Sequence, residues 1–181
     1  TVMRLWTDIA ESVSASGVNK LVLFNTHGGN VGLMDVVGRE LRTRLGMLVY
    51  SVSWFNLPLH GPDGEDILAR FSPEERRFGV HAGQMETAMM LALKPRLVRK
   101  SKAQAFASSS QARAASHRIL GNGKSAKLAW AAQDLNPEGA AGNAAAASVD
   151  DGLALVDAAG RALADLLQEI DRLPADTLRG R

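Results

Sequence analysis

The hydrophobic pattern of the first 25 residues predicts a helix followed by a strand. Apolar residues recur every four positions at Leu5, Ile9 and Val13, which is typical of one face of a helix over residues 2–16. Gly17 then provides a stop signal. A continuous apolar run fills residues 21–24, and we interpret residues 20–25 as a buried strand.

The next thirty residues repeat this alternation. Asn30 is a candidate N-cap for a helix reaching about Leu45, and Gly46 lies just beyond its end. Residues 47–54 are rich in β-branched and aromatic side chains and are predicted to form a second strand. A strand, loop, helix and strand in this order normally form a right-handed crossover between parallel strands. The pattern therefore favours an α/β fold.

The rest of the chain is predicted to be loop and helix with one more strand. Pro, Gly and charged residues dominate residues 55–79, so we expect a long loop with a short helix at Ser72. Residues 103–125 carry little pattern and are expected at the surface. The further predicted elements are a helix that ends before Pro95, a short strand over 127–130 and a long helix over 144–173.

Composition narrows the function classes. The 181 residues are 46% hydrophobic, enough for one domain with a core. Cysteine is absent, so a metal would need histidine and carboxylate ligands. No apolar run approaches the ~18 residues of a membrane span, and we expect a cytoplasmic protein without a membrane partner. The net charge of +2 is small, so nucleic acid is not an expected partner.

A histidine directly follows the first predicted strand. Open parallel sheets bind ligands at the carboxyl ends of their strands, where glycine lets a ligand approach the backbone. His27 is followed there by Gly28 and Gly29, and its imidazole would suit zinc, manganese or iron. The alternative is an ordinary loop histidine whose glycines only make a turn.

A second histidine precedes the helix that ends near Pro95. His81 and Glu86 are five positions apart, so they do not share one helix face. We expect His81 just before the helix and Glu86 in its first turns. The alternative for Glu86 is a solvated carboxylate favoured by the helix dipole. Trp54 and Trp130 are candidates for lining a pocket, although such aromatic residues are more often part of a core.

Three short motifs in this order resemble the creatininase (creatinine amidohydrolase) family, nearly end to end. They are His-Gly-Gly-Asn at 27–30, His-Ala-Gly-x-x-Glu-Thr at 81–87, and Asn-Pro-x-Gly-x-x-Gly at 136–142 preceded by Trp130. The resemblance implies a three-layer α-β-α sandwich with a mostly parallel sheet and a two-metal site at the strand ends. It also implies hydrolysis of a non-peptide C–N bond in a small cyclic amide, formamide or related substrate. The implied assembly is a homo-oligomer, commonly a hexamer.

The same resemblance assigns roles to residues. His27 and Glu86 would be metal ligands, and His81 would be the catalytic acid-base group. The implied metal is Zn²⁺, with Mn²⁺ or Fe²⁺ as alternatives. The implied substrate-binding residues are Gly28, Gly29, Asn30, Trp54 and Trp130.

The sequence also departs from the family pattern. Gln84 stands where many relatives carry an acidic residue, and Gly29 stands where creatininases proper carry a ligating glutamate. The second departure argues against creatinine itself as the substrate. The family's upstream segment, with a glutamate, a histidine two residues on and a later aspartate, is not found. We therefore expect residues 1–181 to be one creatininase-like domain lacking its N-terminal portion. The alternative function is a non-catalytic or truncated subunit with an incomplete metal site.

A phosphate-binding loop is a weaker match. Residues 121–125 end in Gly-Lys-Ser, but Arg118 occupies a position where that motif requires glycine, and no predicted strand precedes it. We therefore reject it.

Overall fold

The computed structural model describes residues 1–179. They fall into two compact units, one formed by residues 1–58 together with the chain from 159 onward, the other by residues 59–158. That residues 1–181 form one creatininase-like domain therefore remains a prediction. The helices are α1 (Val2–Ala15), α2 (Val31–Leu45), α3 (Pro73–Phe78), α4 (Gln84–Leu93), α5 (Ser109–Ser116), α6 (Ala132–Leu135) and α7 (Val149–Arg172), and the strands are β1 (Lys20–Asn25), β2 (Leu48–Ser53), β3 (Ala105–Phe106) and β4 (Gly142–Asn143).

The first unit contains a parallel pair of strands. β1 and β2 align with Lys20 opposite Leu48 and Asn25 opposite Ser53. Because the strands are parallel, both carboxyl ends lie at the same edge of the sheet. Gly46 ends α2 in the left-handed conformation that glycine adopts easily. The predicted strand, loop, helix and strand are confirmed.

Helices α1 and α2 bury one apolar face with the sheet. Ala10 of α1 and Val37 and Leu41 of α2 are buried and form one cluster. Half-buried side chains pack around it, namely Trp6, Leu21, Leu23, Leu45 and Val49. Leu21 and Leu23 are alternate residues of β1, so one face of that strand meets the helices.

The predicted helix α1 is confirmed, but the apolar face with Leu5 and Ile9 is not the face that packs within the unit. Leu5 and Ile9 are 55% and 54% exposed, whereas Ala10 is 2% exposed. The four-residue spacing identified the helix. It did not identify which of two neighbouring apolar faces packs within the unit.

Lys20 fixes the end of α7 within the first unit. Its Nζ donates to the carbonyl oxygens of Ile170, Asp171 and Leu173 at 3.0, 2.6 and 2.8 Å. The last carbonyls of a helix have no partners inside it and carry partial negative charge. The ammonium group satisfies two of these carbonyls and that of Leu173 just beyond the helix, and so joins β1 to the helix end.

The second unit begins with the predicted long loop, which is more ordered than its composition suggested. His60 and Asp66 form an antiparallel bridge, and a short 3₁₀ helix follows at Ile67–Arg70. The predicted helix at Ser72 is confirmed as α3, because the Ser72 hydroxyl accepts the Glu75 N–H. Buried apolar side chains form the unit's interior, namely Leu59, Ile67, Phe71, Ala88, Leu91, Leu135 and Leu155.

The predicted strand over 127–130 and the predicted start of the long helix at 144 are wrong, whereas most of residues 103–125 lie at the surface, as predicted. Residues 127–130 form no strand. The patternless stretch 103–125 contains β3 and α5, and α5 has a capping box formed by Ser108 and Gln111. Helix α7 begins at Val149 instead of 144, because the Ser148 hydroxyl accepts the Asp151 N–H at 3.1 Å and so caps the helix.

No helix within residues 1–179 combines the length and the apolar character needed to cross a bilayer.

Candidate active site

The first candidate region is the histidine loop, residues 25–30, at the carboxyl end of β1 in the first unit. Asn25 is 2% exposed, and its Nδ2 donates to Ser53 Oγ at 3.0 Å. Its Oδ1 accepts the His27 N–H at 3.0 Å and the Asn30 amide at 3.3 Å. Asn25 therefore ties both strand ends to the loop. Sequence reasoning missed this role, for which the only signal was a polar residue ending an apolar strand.

The His27 ring folds back over the loop. Its Nδ1 accepts the Gly29 N–H at 3.2 Å. A Cβ at position 29 would lie 2.9 Å from the ring's Cε1 and 3.0 Å from Nδ1, whereas a Cβ at Gly28 would meet nothing within 4 Å. Gly29 thus sets the position of the predicted metal ligand, and Gly28 has no such steric requirement.

Asn30 acts differently from its expected role as a cap. It precedes α2, but its side chain makes no capping hydrogen bond and instead donates to Asn25. Asn30 lines a cavity of about 300 Å³ together with apolar side chains of α1, α2 and β1. Trp54 follows β2 directly, is half-buried and packs edge-to-face on Phe55 with 6.1 Å between ring centroids.

The second candidate region is the turn before α4, within the second unit. His81 lies three residues before the helix, as predicted. The Val80 N–H donates to the Ala141 carbonyl at 2.7 Å, and the Ala141 N–H donates to the His81 carbonyl at 2.8 Å. The His81 ring meets the Trp130 ring edge-to-face, with 5.7 Å between centroids. The structure therefore brings these two predicted residues together.

Glu86 is the third residue of α4 and is exposed. Its Oε2 accepts the Ala82 N–H at 3.0 Å. Ala82 has a φ of 52°, an unusual left-handed conformation for a residue other than glycine. The Glu86 side chain thus stabilises the turn that carries His81, while the carboxylate keeps further lone pairs for another partner.

Glu75 is the residue of this region that sequence reasoning missed. It is 5% exposed, and its carboxylate accepts the N–H groups of Gln84 and Asn143 at 2.5 and 2.8 Å. Gln84 is the first residue of α4, so Glu75 caps the positive end of that helix. A Cβ at Gly79, Gly83 or Gly142 would lie within 3.0 Å of this carboxylate.

The sequence around Glu75 has a local pattern that predicts a different partner for its carboxylate. Ser72 and Glu75 have the spacing of a capping box, which predicts that the glutamate reaches back to its own helix start. Its carboxylate instead joins the second motif, at Gln84, to the end of the third, next to Gly142.

The described ligands do not complete a metal site. Within residues 1–179, no group of three or more His, Asp or Glu side chains is arranged to hold a metal ion. A tetrahedral zinc site normally needs three or four ligands. Any metal held by His27 or Glu86 therefore needs further ligands.

Comparison with known proteins decides the family. The family model described as "Creatininase: Creatinine amidohydrolase" matches residues 1–167, which include all three motifs. The chain belongs to the creatininase family. No curated protein matches the chain significantly.

Solved creatininase structures share the fold at low sequence identity. "Putative creatinine amidohydrolase" from Bacteroides fragilis NCTC 9343 is 23% identical with a TM-score of 0.70, covering 97% of this chain and 63% of that one. A mutant creatininase of Zn-Zn type is 22% identical with a TM-score of 0.60, covering 92% and 62%. A creatininase in the Mn form is 23% identical with a TM-score of 0.58, covering 90% and 61%.

These likenesses confirm the predicted α/β creatininase fold. The chain spans less than two thirds of the length of each of these three structures.

Proposed function

We propose that this chain supplies part of the active site of a metal-dependent amidohydrolase. The substrate would be a small cyclic amide, a formamide or a related compound, cleaved at a non-peptide C–N bond. The observation that carries the proposal is the family match over residues 1–167, which includes His27, His81 and Glu86 together. Gly29, in place of the ligating glutamate of creatininases proper, argues against creatinine as the substrate.

The proposed metal is zinc, with manganese as the alternative. The support comes from relatives of Zn-Zn type and in the Mn form. As the family resemblance implies, His27 and Glu86 would be metal ligands, and a complete site would need further ligands. The bound metal would supply a hydroxide at neutral pH by lowering the pKa of its water to about 7.

The chain's own residues have separate tasks in this proposal. His81 would donate a proton to the departing nitrogen, and Trp130 fixes the plane of its ring through the edge-to-face contact. The Glu86 carboxylate steadies the turn beneath His81 through the Ala82 N–H. The histidine loop would hold the substrate near Asn30 and Trp54.

The test combines metal analysis with an assay on cyclic amides and formamides. We expect the purified protein to carry zinc or manganese, and a chelator to abolish hydrolysis until that metal is returned. His81→Asn should lower kcat about 10²- to 10⁴-fold with metal content unchanged. His27→Ala should lower the metal content itself.

His117→Asn is the matched control, because His117 is exposed and outside the motifs. It should change neither metal content nor rate. A protein that binds no metal and hydrolyses none of these substrates would instead favour the non-catalytic subunit.

A further inference from the structure

A cavity in the second unit is lined by an unusual set of charges. Its volume is about 820 Å³, and it lies between the end of α3, helix α5 and the segment 120–130. Four cationic side chains line it, and none of the described lining residues is acidic. They are Arg77, Arg113, Lys124 and Lys127.

These charges are not neutralised by carboxylates in the described part of the chain. Arg77 Nη2 donates to the Gly121 carbonyl at 2.8 Å, and Arg113 donates to the hydroxyls of Ser109 and Ser110 at 3.2 and 3.0 Å. The ion pairs among the described residues involve other arginines. The four positive charges around the cavity repel one another, and a bound anion would reduce this repulsion. Anion binding is therefore favoured.

The cavity wall is held in place by close packing. Gly121 lies against the backbone of α5 at Arg113 and Ala114, where a Cβ would overlap. Gly123 has a φ of 70° and turns the chain immediately before Lys124. The segment carrying the two lysines is thus anchored to the helix that carries Arg113.

Recognition here would use side chains instead of backbone amides. The Asn122 Oδ1 accepts the N–H groups of Lys124 and Ser125 at 2.8 and 2.9 Å, so both are occupied. No helix follows Ser125 directly. This agrees with rejecting a phosphate-binding loop of the P-loop kind. An arginine has five N–H donors and suits phosphate or carboxylate oxygens in pairs.

The cavity also extends to the tryptophan that contacts the proposed catalytic histidine. Trp130 lines it, and the ring of the same residue contacts the His81 ring. We propose that this cavity binds a phosphate or carboxylate group of the substrate, so the proposed amidohydrolase acts on an anionic small molecule. The assignment of this anion as part of a substrate rests on the proposed function, whereas anion binding itself does not.

Binding is tested without metal and without turnover, by NMR titration of the protein with phenyl phosphate, with benzoate and with uncharged phenol. The Trp130 indole and the Gly123 amide should shift saturably with the anions and not with phenol. A tighter Kd for phenyl phosphate assigns a phosphate group, and a tighter Kd for benzoate assigns a carboxylate. Raising the salt concentration should weaken both.

A double variant and a matched control locate the site. Lys124→Ala with Lys127→Ala should raise the Kd at least about tenfold, since two charges are lost from the cavity. Lys100→Ala with Lys102→Ala removes the same charge outside the cavity and should leave the Kd within about twofold.

Several results would overturn the proposal. One is a folded protein whose NMR shifts saturate with neither anion, and another is a control pair that raises the Kd as much as the cavity pair. Phenol binding as tightly as the anions, or a short single-stranded oligonucleotide binding more tightly through the same lysines, would also contradict it. Once a hydrolysed amide is known, phenyl phosphate should raise its KM without changing kcat. If the anion binds but leaves the KM unchanged, the cavity is an anion site that does not bind the substrate.

Discussion

Individual residues in the candidate site are constrained by contacts that are short and specific. Gly29 is glycine because the His27 ring occupies the space of a side chain there. Glu75 is buried because two backbone N–H groups satisfy its carboxylate. At this scale the sequence predicted His27, His81 and Glu86 as candidate site residues, and the contacts explain the glycines and the buried glutamate around them.

Gly29→Ala should displace the His27 ring, since the new Cβ would lie 2.9 Å from it. If His27 is a ligand, metal affinity should fall about 10- to 100-fold, as it does when the support of a ligand is lost. Titration with zinc, followed by the ring signals of His27, measures this. Gly28→Ala meets no neighbour and should behave as the unaltered protein. Equal affinity in both variants would contradict a ligand role for His27.

Glu75→Gln should destabilise the second unit by about 1 to 3 kcal/mol, because one buried N–H loses its acceptor. Urea unfolding gives the change in free energy, and hydrogen exchange of the Gln84 amide reports the loss locally. Glu74→Gln removes the same charge from an exposed neighbour and should stay within about 0.5 kcal/mol. A stable Glu75→Gln protein with an unchanged Gln84 amide would show that the carboxylate is dispensable.

Secondary-structure elements were predicted well where their signals are local. Helices α1 and α2 and strands β1 and β2 follow from apolar spacing and from the glycines at 17 and 46. The prediction of a strand over 127–130 was wrong, because this short run has no neighbouring strand with which to pair. The start of α7 was misplaced because alanine-rich 144–147 reads as helix, whereas the Ser148 cap decides the boundary.

Gly152→Ala tests the packing of α7 on α4. A Cβ there would overlap the Ala88 carbonyl group, so we expect a loss of about 1 to 3 kcal/mol in the free energy of unfolding. Gly160→Ala lies in the same helix with open space around it and should stabilise by about 0.5 to 1 kcal/mol. Chemical denaturation of both variants measures the difference. Two stabilised variants would mean that α4 moves aside without cost.

For the whole molecule, the described units leave large apolar side chains exposed. Leu5 and Ile9 on α1 and Leu97 after α4 are examples. Contiguous apolar surface usually marks an interface. The family resemblance implies a homo-oligomer, and the face of α1 is a candidate for one contact.

Light scattering should therefore give a mass of several chains, with six expected from the resemblance. Leu5→Glu should reduce that mass, because a charge would be buried at the contact. Ser14→Glu adds the same charge on the side of α1 about 180° away from Leu5 and should leave the mass unchanged. If Leu5→Glu assembles like the unaltered protein, α1 does not form the contact.

The sequence by itself determined the family, the main helices and strands and the candidate residues His27, His81 and Glu86, because these depend on short motifs and local periodicity. Only the tertiary structure decided which face of α1 packs, how Glu75 is satisfied and that four cations line one cavity. Each of these depends on residues far apart in the chain. Glu75 meets Asn143, which lies 68 positions later, and His81 meets Trp130. No local pattern encodes such pairings, since they arise only when the chain folds back on itself and buries polar groups that need partners.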